Sequence, residues 1–135
     1  MFTKNQIKSL TNGAYSEFSK KHKVSCRFDF VNLNEFWKLA KKNRLIQQEI
    51  RLKIPLKVGA LVLHGEKEVI CLNEDIINQI TNDPNFVKAI VIHELYHVLL
   101  RNMIKIGSFN EEMHSENSAD SSLKREFPKY AKYMT

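Results

Sequence analysis

The sequence predicts an α+β domain in which a small, mostly antiparallel sheet packs against one apolar helix and several flanking helices. Three observations lead there. Residues 24–31 alternate apolar and polar with a period of two, the mark of a half-buried strand. A long apolar stretch begins at Asp83-Pro84, where a capping side chain is followed by proline at the first helical position. Helical spacing recurs on either side of these segments. With 135 residues, 43% of them hydrophobic, the chain reads as one domain spanning 1–135 with a core that needs no disulfide framework.

The elements follow in order. Residues 3–22 have the spacing of a moderately amphipathic helix, weakened by Asn12-Gly13. In the strand at 24–31, Val24, Cys26, Phe28 and Phe30 share one face and Ser25, Arg27 and Asp29 the other. Residues 33–52 return to helical spacing, with Asn32 or Asn34 available as a cap, until Pro55 ends the region. Two apolar runs, 58–64 and 68–72, flank Gly65-Glu66-Lys67 and predict a hairpin. Asn73 precedes a short helix over 74–80. The apolar helix is expected over 84–104, punctuated by Gly107, and a further helix over 111–126, with Pro128 opening the tail.

The net charge is +6, but the lysines are spread along the chain and the densest cluster, Lys20-Lys21-His22-Lys23, is short. No nucleic-acid-binding motif accompanies the charge, so nucleic acid is not expected as the main partner. No apolar run approaches membrane-spanning length, and no signal-like segment opens the sequence. The cysteines, Cys26 and Cys71, lie in alternating apolar stretches and are expected as reduced, buried thiols. The expectation is a cytoplasmic protein without a membrane partner; the sequence does not fix its oligomeric state.

The chemistry concentrates in His93-Glu94-Leu95-Tyr96-His97. Two histidines four apart on a helix share a face, with Cβ atoms about 5–6 Å apart, so both imidazoles can meet one zinc ion. Glu94 is rotated around the helix and suits a general base beside the metal. The flanking residues are apolar nearly all round, from Phe86, Val87, Ala89, Ile90, Val91 and Ile92 to Val98, Leu99 and Leu100. Such a helix belongs in a core, where an ionised carboxylate and two imidazoles need partners. A metal ion with a bound water supplies them, and so would an internal salt-bridge network.

A catalytic zinc needs a third protein ligand and an open position. Glu112, His114 and Glu116 are the candidates downstream. Glu116 is favoured because Asp120 follows four residues later on the same helix face, where it can accept the second N–H of a ligating imidazole. Ala119 is small enough to let the two helices approach closely. His114 would give an all-histidine site, as in SprT-like proteases. Leu100 and Met103 occupy the positions where metzincins carry Gly and His, which excludes that class.

His93-Glu94-Leu95-Tyr96-His97 followed by Glu116-Asn117-Ser118-Ala119-Asp120 resembles the gluzincin pattern, His-Glu-x-x-His with a later Glu-x-x-x-Asp. In its compact size the chain is similar to the minigluzincins and to the peptidase domain of the ImmA/IrrE proteins. In the latter a Glu-x-x-Ala-Asn stretch supplies the third ligand, and Ala119-Asp120 fall where that Ala-Asn would be. The resemblance covers residues 58–123 and implies a zincin-like fold, zinc as cofactor, and a strand of the 58–72 hairpin that holds substrate backbone by strand addition. The sequence departs from ImmA/IrrE proteins at Tyr96, where they commonly have glycine, and at Ser121-Ser122-Leu123, which replace a Phe-Ala pair. The HtpX-type membrane spans and a helix-turn-helix region have no counterpart.

The reaction implied is zinc-dependent hydrolysis of a peptide or protein substrate. Zinc held by His93, His97 and Glu116 polarises the scissile carbonyl and brings the pKa of its water toward about 7. Glu94 takes the water proton and returns it to the leaving amine. Tyr96, His114, Tyr130 and Tyr133 are candidate donors to the oxyanion. The rivals are a zinc-binding regulator of the same fold that cleaves little, a latent protease whose 129–135 tail fills the cleft, and a SprT-like protease acting near nucleic acid.

Overall fold

The first helix, α1 (Lys4–Ser19), begins at Thr3, whose hydroxyl accepts from the Gln6 amide while the Gln6 side chain accepts from the Thr3 amide. This capping box satisfies two otherwise orphaned donors. The helix runs unbroken through Asn12-Gly13 and buries Ile7, Thr11, Ala14 and Phe18. In the computed structural model, residues 1–40, 60–63, 68–101 and 109–133 are described, with the side chains at 40, 61, 63, 101 and 109–117 outside that description.

After α1, the Tyr15 hydroxyl donates to the Val24 carbonyl at 2.6 Å and holds the turn into β1 (Cys26–Phe30). Helix α2 (Leu33–Ala40) follows, and the Asn32 side chain accepts from the Glu35 amide at 2.8 Å, so Asn32 rather than Asn34 caps it. The helix expected over 41–52 and the end placed at Pro55 lie outside the described residues. Strands β2 (Leu61–Leu63) and β3 (Glu68–Leu72) pair antiparallel, as a hairpin requires, while its connection at 65–67 also lies outside.

The sheet corrects one expectation. It has the order β1-β3-β2, and β1 pairs with β3 in parallel over five positions, from Cys26↔Glu68 to Phe30↔Leu72. It is therefore mixed, not mostly antiparallel. Neighbours joined by a tight turn pair antiparallel, but the long connection from β1 through α2 and β2 leaves room for a crossover, and a crossover returns the chain in the same direction.

Register sorts the side chains between two layers. Phe28 lies opposite Ile70 and Phe30 opposite Leu72, and this face joins the main core with Ile7, Phe18, Ala89, Ile92, Leu95 and Tyr96. Cys71, opposite Asp29, instead joins Phe36 and Ile76 in a second cluster beside α2. The two cysteines thus serve different clusters and are both free thiols. Burial chiefly pushes each thiol up to about 11, with Glu68 adding to this at Cys26 and Asp29 at Cys71. The thiol stays protonated, and each cysteine packs as a small apolar residue.

Asn73 ends β3 and starts α3 (Glu74–Ile80). It accepts from the Ile76 amide at 3.0 Å and donates to the Val31 carbonyl at 2.9 Å. Helix α4 (Pro84–Arg101) starts where the sequence places it: Asp83 Oδ1 accepts from the Asn85 amide at 2.9 Å. Val87, Ala89, Val91, Ile92, Leu95 and Val98 are all fully buried along it. Each side chain of this size contributes about 1.5–3 kcal/mol by leaving water, alanine less. Residues 102–104 and Gly107, where the sequence ends this helix, are outside the described residues. Helix α5 (Phe109–Glu126) and α1 both pack against α4.

Residues 128–133 form a 3₁₀ helix packed against α4 and α5. Tyr130 is buried and donates to both Glu17 carboxylate oxygens at 2.9 and 3.0 Å. Tyr133 donates to Asp83 at 2.5 Å. The segment through 133 is thus fastened to α1 and to the start of α4, and the idea of a tail lying over the histidines finds no support in it. No helix among the described residues is long and apolar enough to cross a membrane.

Candidate metal centre

His93 and His97 sit midway along α4, at the edge of its buried surface. The helix turns about 100° per residue, so the pair lies within about 40° of one line along the helix. Their Nε2 atoms are 3.1 Å apart, with the rings nearly perpendicular at 77°. At that distance one nitrogen can donate a proton to the other. It also matches two ligands of one tetrahedral zinc: nitrogens about 2.0–2.1 Å from a common ion stand about 3.3 Å apart.

Helix α5 supplies the next group. Asp120 Oδ1 lies 2.8 Å from His93 Nδ1, with the His93 side chain 13% exposed and that of Asp120 35%. The carboxylate thus stands within ion-pair distance of the ring nitrogen that faces away from His97. Sequence reasoning expected Asp120 beside a histidine of α4, and Asp120 lies against His93. Ala119 is fully buried beside it.

The remaining assignments divide. Glu94 is partly buried on α4, one residue on from His93. Glu116, Glu112 and His114 lie on α5, with their side chains outside the described residues. Backbone register still separates them. Glu116 is one turn before Asp120 and within about 40° of its face, Glu112 about 80° away, and His114 about 120° away. Among the described residues, no group of three or more His, Cys, Asp or Glu side chains gathers at one point. Two imidazole nitrogens this close are donors of the kind zinc takes.

Tyr96 does not take the role sequence reasoning allowed it. Only 1% exposed, it faces α1, with its ring edge-on to Phe18 at 4.9 Å between centroids. Its hydroxyl donates to Glu126 Oε1 at 2.6 Å. Burial and this carboxylate both raise its pKa far above the ordinary value, so it stays protonated. It neither lines a cleft nor is free to meet an oxyanion. Tyr130 and Tyr133 are committed to Glu17 and Asp83 in the same way. Burial and the Glu17 contact push Tyr130 up to about 12.

Sequence reasoning missed Glu126 and His22. The His22 Nε2 stands 2.7 Å from the same Glu126 oxygen that Tyr96 reaches. Partial burial works to raise the Glu126 carboxyl, but hydrogen bonds from Tyr96 and His22 outweigh it and hold the group below its ordinary value. One signal was legible: a tyrosine inside an otherwise apolar helix needs a partner for its hydroxyl. Nothing local identifies which residue that partner is.

Compared with known proteins, the chain matches no family model, no curated protein and no solved structure.

Proposed function

We propose that this protein is a zinc-dependent peptidase of the gluzincin kind, with His93, His97 and Glu116 as the residues that hold the metal. The observation that carries the reading is the His93–His97 pair, with Nε2 atoms 3.1 Å apart and Asp120 set against the outer nitrogen of His93. A buried hydrogen-bonded histidine pair needs no carboxylate on its far side, whereas metal-ligating histidines almost always have one or an equivalent acceptor. A bound zinc ion supplies Lewis acidity toward a carbonyl and toward water.

The chain's own residues would do the rest. Glu94 accepts a proton from the attacking water and passes it to the leaving amine, which requires a carboxylate near the ion but outside its ligand set. Its place on α4, about 100° around from His93, supports that division. Strand β2 lies at the edge of the sheet and touches α4, so its outer side is where an extended peptide substrate would pair. These features fit a zincin-like arrangement. Two free, largely buried thiols suit a reducing compartment such as the cytoplasm.

The test is Glu94→Gln. The variant is expected to carry as much zinc as the wild type, measured by elemental analysis, and to lose cleavage of an unfolded protein substrate. Full cleavage by the variant would remove Glu94 from the reaction. A wild-type protein that carries zinc without cleaving would make the chain a binding module instead.

A further inference from the structure

We propose that Tyr96, Glu126 and His22 form a positioning strut that sets the roll of α5 against α4 and so holds Asp120 on His93. The inference rests on the zinc reading above and extends it to residues that touch no ligand.

Polar ties between α4 and α5 include His93 to Asp120 at 2.8 Å and Tyr96 to Glu126 at 2.6 Å. Between them the helices meet through apolar residues such as Ala119 and Leu123, both fully buried. Apolar contact is non-directional, so by itself it fixes separation better than rotation. A directional tie placed further along α5 resists that rotation. Glu126 closes α5 six residues beyond Asp120, and it is itself held by His22 from the turn after α1. The strut therefore anchors α5 to two neighbours at once.

The amplitude involved is small. A side-chain atom lies about 5–6 Å from its helix axis, so a roll of ten degrees moves it by about 1 Å. Such a shift takes a 2.8 Å contact beyond hydrogen-bonding range. Glu116, one turn before Asp120 on the same helix, would move with it.

The chemistry of position 96 supports the assignment. A phenylalanine there would keep the edge-on contacts with Phe18 and Phe127 that fill the space. The hydroxyl adds a buried polar group that is worth its desolvation only with a directional partner. The partner is charged, and charge-assisted hydrogen bonds are the shorter and stronger kind. The Glu126 carboxyl is held below its ordinary value, so it is ionised near neutral pH.

The experiment measures zinc affinity of the full chain by competition with a chelator of known affinity, with folding checked by circular dichroism and thermal melting. Tyr96→Phe and Glu126→Ala are each expected to weaken zinc binding about tenfold, the low end of the range for groups that orient a ligating residue. Glu126→Gln, which keeps an acceptor for the phenol, is expected to recover most of the loss. In an Asp120→Ala background Tyr96→Phe should weaken binding by less than it does alone, because one of the two groups the strut positions is then gone. A purely structural tyrosine would lower the melting temperature and leave affinity within twofold, which overturns the proposal; so would losses that multiply in the double variant. Wild-type protein that binds no zinc overturns the metal reading and the strut together. Wild-type protein that binds it while the folded variants bind equally well overturns the strut alone.

Discussion

Asp120 Oδ1 stands 2.8 Å from His93 Nδ1, so a side chain on α5 meets the nitrogen of His93 that faces away from His97. Replacing Asp120 with alanine removes that contact without touching the Nε2 pair. The expected result is a loss of about 10–100-fold in zinc affinity. Asp120→Asn, which keeps an oxygen acceptor, should lose less. Affinity unchanged in Asp120→Ala would mean that the contact orients nothing.

The third ligand is decided by metal content. Glu116→Ala is expected to empty the site, while Glu112→Ala and His114→Ala leave close to one zinc per chain. The ground is helical register: Glu116 lies within about 40° of the face that Asp120 turns toward His93, and His114 about 120° from Asp120. Zinc lost from His114→Ala and kept in Glu116→Ala would reverse the assignment.

The parts of this centre that could be read from the sequence are those written locally. Asp83-Pro84 starts a helix, and four-residue spacing puts His93 beside His97. Each depends on residues within one or two turns. The parallel pairing of β1 with β3 depends on Cys26 finding Glu68, and no local pattern encodes that choice. The same holds for His22, which meets Glu126 across most of the chain. Tyr96 was misplaced for a related reason: its neighbours in sequence are the histidines, but its neighbours in space are Phe18 and Glu126.

Gly13 lies inside α1 opposite Lys88, and a Cβ there would stand 3.4 Å from the Lys88 Cε and 3.5 Å from its Nζ. That is ordinary contact with the end of a flexible side chain. Glycine within a helix is about 0.8–1.0 kcal/mol worse than alanine. Gly13→Ala is therefore expected to stabilise the protein by about 0.5–1 kcal/mol and to raise its melting temperature by about 2–4 °C. Calorimetry on zinc-free protein checks this, and a fall in melting temperature would show that Lys88 cannot give way.

Asn73→Ala should do the opposite. The side chain is 4% exposed and bonds both the Val31 carbonyl and the Ile76 amide. Removing it uncaps α3 and leaves a buried carbonyl short of a partner, at a cost of about 1–3 kcal/mol by denaturant unfolding.

Acid should unfold the protein through two carboxylates. Glu17 is partly buried, which raises its pKa, but hydrogen bonds from Lys129, Tyr130 and Lys88 outweigh this and lower it below 4.5. Glu126 is lowered likewise by Tyr96 and His22. A carboxyl held below its unfolded value adds stability that is complete above that value and disappears as the pH falls through the folded one. Zinc-free protein is expected to keep this contribution down to about pH 4.5 and then lose it. The Glu17→Gln/Glu126→Gln double variant should show a shallower decline, and an equally steep one would place the acid sensitivity elsewhere.

The Glu17–Tyr130 and His22–Glu126 contacts also set an order of events during synthesis. They join residues 113 and 104 positions apart. At about 5–20 residues per second, Tyr130 leaves the ribosome about 6–23 s after Glu17. Helix α4 is complete 84 residues after Glu17, about 4–17 s later at that rate, and until then α1 has neither it nor the 3₁₀ helix to cover Ala14 and Phe18. The nascent chain therefore presents an apolar helical stripe for seconds, a surface on which a chaperone can act before α4 arrives to claim it.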